Sequence, residues 1–214
     1  MKIDSIIKTF DSKTILHDIF LSCGKGEIIG LLGSNGTGKS TLLKIVFGSI
    51  NADQKHIKVK EKLIRNVFEN NGIIKYLPQF PFLPSHIKVK NIIYSFCDKE
   101  KSKFLSNHPL VNPFLNSKPN QLSGGQKRII EILLIIYSNA EYILLDEPFK
   151  NIDLIHIPEL KNYIIAESKN KGIIITDHNY TEILDIATRT ILLYNGSVKQ
   201  VKNQDDLKFF KYIK

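Results

Sequence analysis

Residues 28–47 read IIGLLGSNGTGKSTLLKIVF, and this stretch decides the fold class. Its first five residues are apolar without alternation, a pattern typical of a strand that is buried on both faces of a parallel sheet. Residues 39–47 have the helical spacing of apolar side chains, and Gly48 after them is a common helix terminator. The stretch therefore predicts a buried strand, a glycine-rich loop and a helix, in that order.

The loop at residues 33–40, GSNGTGKS, fits the pattern of a P-loop that binds phosphates. Glycines let backbone N–H groups approach an anion closely, and the positive end of the following helix faces that anion. Lys39 would add a mobile charge at the β- and γ-phosphates, and Ser40, or else Thr41, would offer a hydroxyl to Mg²⁺. The predicted nucleotide-binding residues here are Gly33, Ser34, Asn35, Gly36, Thr37, Gly38, Lys39, Ser40 and Thr41.

A second apolar run, YILLDE at residues 142–147, ends in two acids. A carboxylate at the end of a strand beside a P-loop can hold the coordination shell of Mg²⁺, which predicts this role for Asp146. Because side chains alternate along a strand, Glu147 should point elsewhere, as suits a general base or a residue that positions water.

Further patterns indicate an α/β fold. Asn-Gly between two strand-like runs is the strongest short signal for a hairpin, and helical patterns lie between the first two buried strands. The additional apolar runs are residues 173–175 and 191–194, the hairpin joins 191–194 to 197–201 through Asn195 and Gly196, and the second helical pattern is Gln126 to Tyr137.

Composition excludes several other classes of protein. Of 214 residues, 43% are hydrophobic and 24% are charged, which excludes disordered, collagen-like and disulfide-scaffold chains. The spacing of Cys23 and Cys97 fits neither a metal site nor a redox motif and predicts reduced thiols in a cytosolic protein. A membrane-spanning helix needs ~20 apolar residues and the sequence has no such run, so we expect no direct membrane insertion.

The pentapeptide LSGGQ at residues 122–126, called the signature below, carries the resemblance to a family. It resembles the signature sequence of the ATP-binding cassette (ABC) family, and the other motifs stand in the family order over nearly all of the chain. The resemblance implies a P-loop NTPase fold: a mainly parallel sheet with flanking helices, an antiparallel β portion and a short inserted helical subdomain. It also implies an ATP-hydrolysing transporter subunit with ATP and Mg²⁺ as cofactors. The segments YLPQ, DEPF and TDHN look most like the ATPases of lipopolysaccharide export and branched-chain amino-acid import.

The resemblance also assigns roles to residues outside the P-loop. It implies that Glu147 is the catalytic glutamate, that His178 is the switch histidine, and that Gln79 contacts both the metal and the attacking water, while Lys39 takes part in catalysis. Residues 123–125 precede a helix and form an anion site in their own right. The further nucleotide contacts implied are Phe10, stacked on adenine, together with Ser123, Gly124, Gly125, Gln126 and Asp153.

The division of the chain follows from the same comparison. We expect one ABC ATPase domain over residues 1–214, with a core lobe of about 1–79 and 129–214 and a helical lobe of about 80–128. Within the helical lobe, Phe80 to Pro84 is either an exposed docking patch for a membrane partner or a packed loop.

The family resemblance implies partners. Each nucleotide would be enclosed by the P-loop of one subunit and the signature of a second ABC ATPase subunit, either identical or a paralogue. Integral membrane permease subunits would bind the dimer, at the cytoplasmic, inner face of the cell membrane. The alternative is a soluble ABC ATPase that acts on ribosomes or nucleic acid, and the net charge of +9 is the point in its favour. Of the 30 basic residues only Arg65, Arg128 and Arg189 are arginines, so no nucleic-acid partner is expected.

Overall fold

The computed structural model describes residues 1–213, and strands and helices alternate along them. The strands are β1 (Lys2–Phe10), β2 (Lys13–Ser22), β3 (Ile28–Leu32), β4 (Gln54–Val59), β5 (Lys62–Leu63), β6 (Ile74–Leu77), β7 (Tyr142–Asp146), β8 (Gly172–Thr176), β9 (Arg189–Tyr194) and β10 (Ser197–Val201). The helices are α1 (Lys39–Phe47), α2 (Val67–Asn70), α3 (Val89–Phe96), α4 (Lys99–Asn107), α5 (Gly124–Ile136), α6 (Ile157–Ser168), α7 (Tyr180–Leu184) and α8 (Gln204–Phe209). Short 3₁₀ turns cover Asn112–Phe114, Pro119–Gln121 and Leu154–His156.

The larger sheet has the strand order β10–β9–β3–β8–β7–β6. Its neighbouring strands pair in parallel apart from β9 and β10, which form an antiparallel hairpin. The hairpin turns at Asn195 and Gly196, whose φ angles of 47° and 73° suit an Asn-Gly turn. The predicted strands, the hairpin and the α/β class are confirmed.

Side chains of the parallel strands enter two hydrophobic cores, one on each face of the sheet. In β8, Ile173 and Ile175 are buried in one core and Ile174 in the other. In β7, Ile143 and Leu144 divide in the same way. Because neither face meets water, these strands carry apolar residues without alternation, which is why the sequence pattern identified them.

The smaller sheet is antiparallel and has the order β2–β1–β4–β5. Apolar side chains of β1 and β2, among them Ile6 and Leu16, share a core with Leu42 and Leu43 of α1. The pairing of β1 with β2 shifts register at three places. This sheet positions Phe10, the last residue of β1, next to the β3–α1 loop.

Residues between β6 and β7 are mainly helical. Val89, Leu105 and Val111 are buried in the same core as α5 and one face of the larger sheet. Helix α5 begins at Gly124, two residues before the predicted start, because Ser123 Oγ accepts a hydrogen bond from the Gln126 N–H at 3.1 Å and caps the helix. The predicted helix boundaries at Gln126 and Tyr137 were therefore wrong by one or two residues.

Two further sequence expectations can be compared with the structure. Within residues 1–213, no helix is both long and apolar enough to cross a bilayer. Cys23 is buried, Cys97 is half-buried, and both are free thiols. Burial raises the pKa of Cys23 to about 12, so this thiol is inert at neutral pH.

Candidate active site

The loop between β3 and α1 has backbone angles that favour glycine. The φ angles of Gly33, Gly36 and Gly38 are 156°, 78° and 104°. A Cβ atom on Gly38 would lie 2.8 Å from Cγ2 of Ile15, and one on Gly33 would lie 2.7 Å from Oγ1 of Thr37. Side chains at these three positions would strain the backbone, and at Gly33 and Gly38 they would also collide with neighbouring side chains.

Lys39 is the first residue of α1, and its side chain folds back over the loop. Its Nζ donates to the carbonyl oxygens of Gly33 at 2.6 Å and of Ser34 at 3.1 Å. Burial lowers the pKa of Lys39, while the charges of Glu147 and Asp146 raise it. The ammonium group therefore stands above the loop, where phosphate oxygens could replace its carbonyl partners.

A cavity of about 510 Å³ opens beside this loop, within the size range of ligand pockets. It is lined by Phe10, Ile15, Asn35, Gly36, Gly38, Lys39, Ser40, Thr41, Gln79, Glu147 and His178. All of these except Ile15 were predicted from the sequence as site residues. Aromatic and aliphatic side chains, a cation and a glycine-rich backbone together fit a ligand that carries both a base and phosphates.

Asp146 ends β7 beside the cavity, with 1% of its surface exposed. Its Oδ1 accepts a hydrogen bond from Oγ of Ser40 at 3.0 Å, and its Oδ2 accepts one from the Tyr76 hydroxyl at 2.8 Å. Burial raises the pKa of Asp146, and these two hydrogen bonds lower it. A hydroxyl and a carboxylate in contact are hard oxygen ligands, so Ser40 and Asp146 fit a Mg²⁺ ion.

Glu147 follows with a left-handed backbone, φ 50°, and its side chain has different partners. Its Oε2 accepts a hydrogen bond from Nε2 of Gln79 at 2.6 Å, and its Oε1 lies 2.8 Å from Nε2 of His178. The structure thus joins three predicted site residues, and Asp146 and Glu147 point to different partners as expected. The side chain of Gln79 donates its hydrogen bond to Glu147. The predicted role of Gln79 as a metal ligand therefore stays a prediction.

The signature lies outside this cavity. Gln126 Oε1 accepts from the Ser123 N–H at 2.9 Å, so its side chain helps to cap α5. A Cβ on Gly125 would lie 2.9 Å from the Asn151 carbonyl oxygen, which shows that the signature packs on the loop that leads to Asp153. Over residues 1–213, the cavity lining does not include Ser123, Gly124, Gly125, Gln126 or Asp153. The chain therefore presents two separate surfaces, the P-loop cavity and the N-terminus of α5.

Arg128 is a central residue of the site that sequence reasoning missed. It is 5% exposed, and its guanidinium donates to the carbonyl oxygens of Pro78 at 2.7 Å, Asp146 at 2.8 Å and Glu147 at 2.9 Å. Burial lowers its pKa, and the charge of Glu131, 3.4 Å away, raises it. The sequence did contain a signal for this role, because Arg128 and Glu131 are two charged residues on the apolar face of a predicted helix.

Two other contacts were also missed. The Tyr76 hydroxyl binds Asp146, as described above, and Nζ of Lys150 lies 3.0 Å from Oε2 of Glu147. Tyr76 lies in β6, one strand away from Asp146 in β7, and contacts across a sheet depend on strand order. Strand order was not predicted, so the contact of Tyr76 with Asp146 was not. Glu147 and Lys150 are three residues apart, and the turn that brings them together, with Glu147 at φ 50°, was not predicted either.

The segment Phe80 to Pro84 combines both of its predicted alternatives. Phe80 is 72% exposed, whereas Phe82 packs on Phe96 with ring centroids 6.1 Å apart. The Phe82 N–H donates to Oε1 of Glu131 at 2.8 Å, which fixes the loop over α5. Neither alternative therefore describes the whole segment, because Phe80 is exposed whereas Phe82 is partly buried against the core.

Comparison with known proteins agrees with this arrangement. The family described as ABC transporter matches residues 16–150. The lipopolysaccharide export system ATP-binding protein LptB of Haemophilus influenzae is 30% identical over 226 aligned positions, which cover 96% of this chain and 93% of that protein. The probable sulfate/thiosulfate import ATP-binding protein CysA of Chlorella vulgaris is 28% identical, with 96% and 92% covered.

Solved structures match the fold. An ATP-binding subunit of an ABC transporter superposes with a TM-score of 0.84 at 21% identity, covering 97% of this chain and 91% of that one. A dimeric ATP-binding cassette in a post-hydrolysis state, bound to ADP and Pi, superposes with a TM-score of 0.80 at 21% identity, covering 94% and 99%. At these identities the likeness confirms the predicted α/β fold.

Proposed function

The chain belongs to the ABC transporter family, and from this premise we propose that it is the ATP-hydrolysing subunit of a transporter whose membrane-embedded permeases are separate chains. One observation carries the proposal: the Glu147 carboxylate, held by Gln79 and His178, lines the same cavity as Lys39 and Ser40. A base, a cation and a metal-binding hydroxyl around one cavity are the parts that phosphoryl transfer to water requires.

The residues of this chain divide the work of hydrolysis. Phe10 stacks on the base, and Lys39 binds the β- and γ-phosphate oxygens in place of the loop carbonyls. Glu147 accepts a proton from the water whose oxygen attacks the γ-phosphorus, and the bond to the β-phosphate oxygen breaks, leaving ADP and phosphate. Mg²⁺, held by Ser40 and Asp146, would neutralise charge on the phosphates.

His178 and Gln79 act on this step through Glu147. Each contacts a different carboxylate oxygen, so together they fix the direction in which Glu147 faces. Arg128 fixes the backbone beneath it, since the Asp146 and Glu147 carbonyls accept from the same guanidinium nitrogen. Such support keeps the base in place without movement during the reaction.

We place the signature at the second half of a composite site. The N-terminus of α5 at Ser123 is an anion-binding end, yet it lies outside the P-loop cavity of its own chain. Two subunits in head-to-tail contact, related by C2 symmetry when they are identical, would bring the signature of each to the nucleotide of the other. ATP would then bind between the subunits, and its hydrolysis would release them.

Mixing two inactive variants tests this arrangement. Lys39→Ala removes the ammonium group that binds the phosphates at the P-loop, and Ser123→Arg blocks the signature with a bulky side chain. Each variant alone should therefore lose ATPase activity. A mixed dimer contains one intact composite site, and ATPase activity should reappear when the two variants are combined. If mixing folded samples of both variants restores nothing, the shared-site arrangement is wrong.

The membrane partner requires a separate experiment. We expect Glu147→Gln, tagged in its native cell and extracted with ATP and a mild detergent, to retain a stoichiometric integral membrane protein. We assign docking of that protein to the helical segment of about 80–128, with exposed Phe80 at its start. Recovery of ribosomal proteins or nucleic acid instead would favour the soluble alternative, which the net charge of +9 supports.

A further inference from the structure

Lys150 is a charged residue in contact with the proposed base. Its Nζ lies 3.0 Å from Oε2 of Glu147, and the two side chains are 42% and 7% exposed. The lysine therefore reaches inward from a partly solvated position to a carboxylate that is almost completely buried. None of the roles assigned so far uses this contact.

The backbone around the pair is held independently of the contact. The Glu147 N–H donates to the Thr176 carbonyl at 2.8 Å, and the Glu147 carbonyl accepts from Arg128 at 2.9 Å. The Lys150 N–H closes the turn on the same carbonyl at 3.4 Å. Rotation about side-chain bonds of Lys150 alone can therefore break the contact and leave the turn intact.

The contact occupies one of the sites at which the Glu147 carboxylate can accept a hydrogen bond from the attacking water. Each oxygen of a carboxylate offers about two lone-pair sites. Oε2 of Glu147 already accepts from Gln79 at 2.6 Å and from Lys150 at 3.0 Å, and Oε1 contacts His178 at 2.8 Å. A water molecule can donate to Oε2 only after one of these two donors has left, so while the Lys150 contact holds, the attacking water is confined to the remaining site on Oε1.

Lys150 is the donor that can leave more readily. Its long side chain is 42% exposed, so water can replace Glu147 as the partner of its ammonium group. The lysine that lines the cavity, Lys39, donates to the loop carbonyls of Gly33 and Ser34.

We propose that Lys150 is a positioning residue that restrains the Glu147 carboxylate and closes Oε2 to the attacking water, so that opening of this contact speeds hydrolysis. This inference rests on the proposed ATPase function. It assigns to Lys150 a restraint on the basal rate, exerted through Glu147, and no contact with the nucleotide.

The first test compares turnover. Lys150→Met removes the ammonium group but keeps an unbranched chain, and Lys150→Arg keeps a cation. We expect kcat for ATP hydrolysis to rise about two- to fivefold in Lys150→Met, with KM unchanged, and to stay near the unaltered value in Lys150→Arg. In a Glu147→Gln background the same change should have no effect. A fall in kcat, a change in KM alone, or an equal effect in the Glu147→Gln background overturns the proposal.

The second test needs no nucleotide. A lysine amine reacts with acetic anhydride when it is free, and mass spectrometry of digested protein gives the rate at each lysine. We expect Glu147→Gln to accelerate acetylation of Lys150 at least twofold and to leave Lys169, an exposed lysine just after α6, unchanged. An unchanged rate at Lys150 overturns the restraint. Absence of ATPase activity in the unaltered chain would instead overturn the proposed function, and the two failures are therefore distinct.

Discussion

The side-chain amide of Gln79 donates a 2.6 Å hydrogen bond to Oε2 of Glu147, although 68 residues separate them in the sequence. They meet because β6 and β7 are parallel neighbours, with Leu77 paired to Leu145. The segments that follow these two strands therefore leave the sheet at the same end. A displacement of the segment after β6 would therefore act directly on the proposed base.

Glu147→Gln should separate binding from hydrolysis. Glutamine has nearly the same shape but cannot accept a proton, so we expect hydrolysis to fall by about 10²-fold or more while ATP affinity stays within about threefold. Single-turnover hydrolysis and equilibrium binding of a fluorescent ATP analogue measure the two quantities. Glu100→Gln, at an exposed position of α4, is the control and should change neither. Turnover of Glu147→Gln at the unaltered rate would show that another group is the base.

Lys39→Ala should abolish most nucleotide affinity. A charge-assisted hydrogen bond contributes roughly 1.5–3 kcal/mol, so the Kd for ATP should rise by about 10- to 100-fold. Titration calorimetry measures it, and Lys44→Ala on the same helix is the matched control. Equal affinities of Lys39→Ala and the unaltered chain would contradict the assignment of the loop.

Phe10→Ala should weaken binding of ATP through its base. The ring of Phe10 is 43% exposed at the cavity, and Nζ of Lys8 lies 4.7 Å from its centroid. Base stacking contributes about 1–3 kcal/mol, so Phe10→Ala should raise the Kd for ATP about tenfold, and Phe10→Tyr should preserve it. Phe20→Ala, at an exposed aromatic residue of β2, should leave the Kd unchanged. A similar loss in Phe10→Tyr would indicate a packing role.

Local patterns predicted the parts of the fold that neighbouring residues determine. Strand β3 and the helix from Lys39 to Phe47 appear at the predicted residues. A strand that is buried on both faces requires an unbroken apolar run, and the helix ends at a glycine, so both are recognisable in the sequence. The predicted start of α5 at Gln126 was wrong because the capping box of Ser123 and Gln126 was not recognised.

Contacts between distant segments could not be obtained in this way. Three features depend on which elements become neighbours: the register shifts in β1, the contact of Tyr76 with Asp146, and the packing of Phe82 against the core. Arg128 shows the same limit, because its carbonyl partners belong to segments 18 to 50 residues away. Every residue has a backbone carbonyl, so the residue types at those positions do not reveal the contact.

Arg128 and Glu131 should couple strongly in stability. Arg128→Met leaves four carbonyls and a buried carboxylate without this donor, so we expect the free energy of unfolding to fall by about 3–5 kcal/mol. The double variant with Glu131→Met should lose less than the sum of the single variants, since no charge then stays unpaired. Urea denaturation measures all three. Arg65→Met, at an exposed pair with Glu69, should cost under about 1 kcal/mol. Additive losses would show that the two charges do not interact.

Asp177 should make stability depend on pH with an unusual sign. It is 6% exposed and accepts from the Phe149 N–H at 3.2 Å and the Asn179 N–H at 3.1 Å. Burial raises its pKa most, the charge of Glu147 adds to this, and the two N–H groups oppose it. Since the folded-state pKa lies above the unfolded value of about 3.9, the folded chain binds the proton more tightly.

The free energy of unfolding of the unaltered chain should therefore rise, relative to Asp177→Asn, as the pH falls from 7 toward 4. The difference between the two isolates Asp177, because the other carboxyl groups are common to both. Asp98 is the control of opposite sign, since hydrogen bonds from the Lys101 N–H at 2.9 Å and from Asn139 at 2.8 Å lower its pKa. The ionised form of Asp98 stabilises the fold at pH values above the unfolded pKa, and this contribution is lost as the pH falls through the folded-state pKa. The free energy of unfolding of the unaltered chain should therefore fall, relative to Asp98→Asn, as the pH is lowered. Urea denaturation at a series of pH values measures the difference in the free energy of unfolding for each pair of proteins. If the difference for Asp177 stays constant, or changes with pH in the same direction as that for Asp98, burial does not destabilise the Asp177 carboxylate.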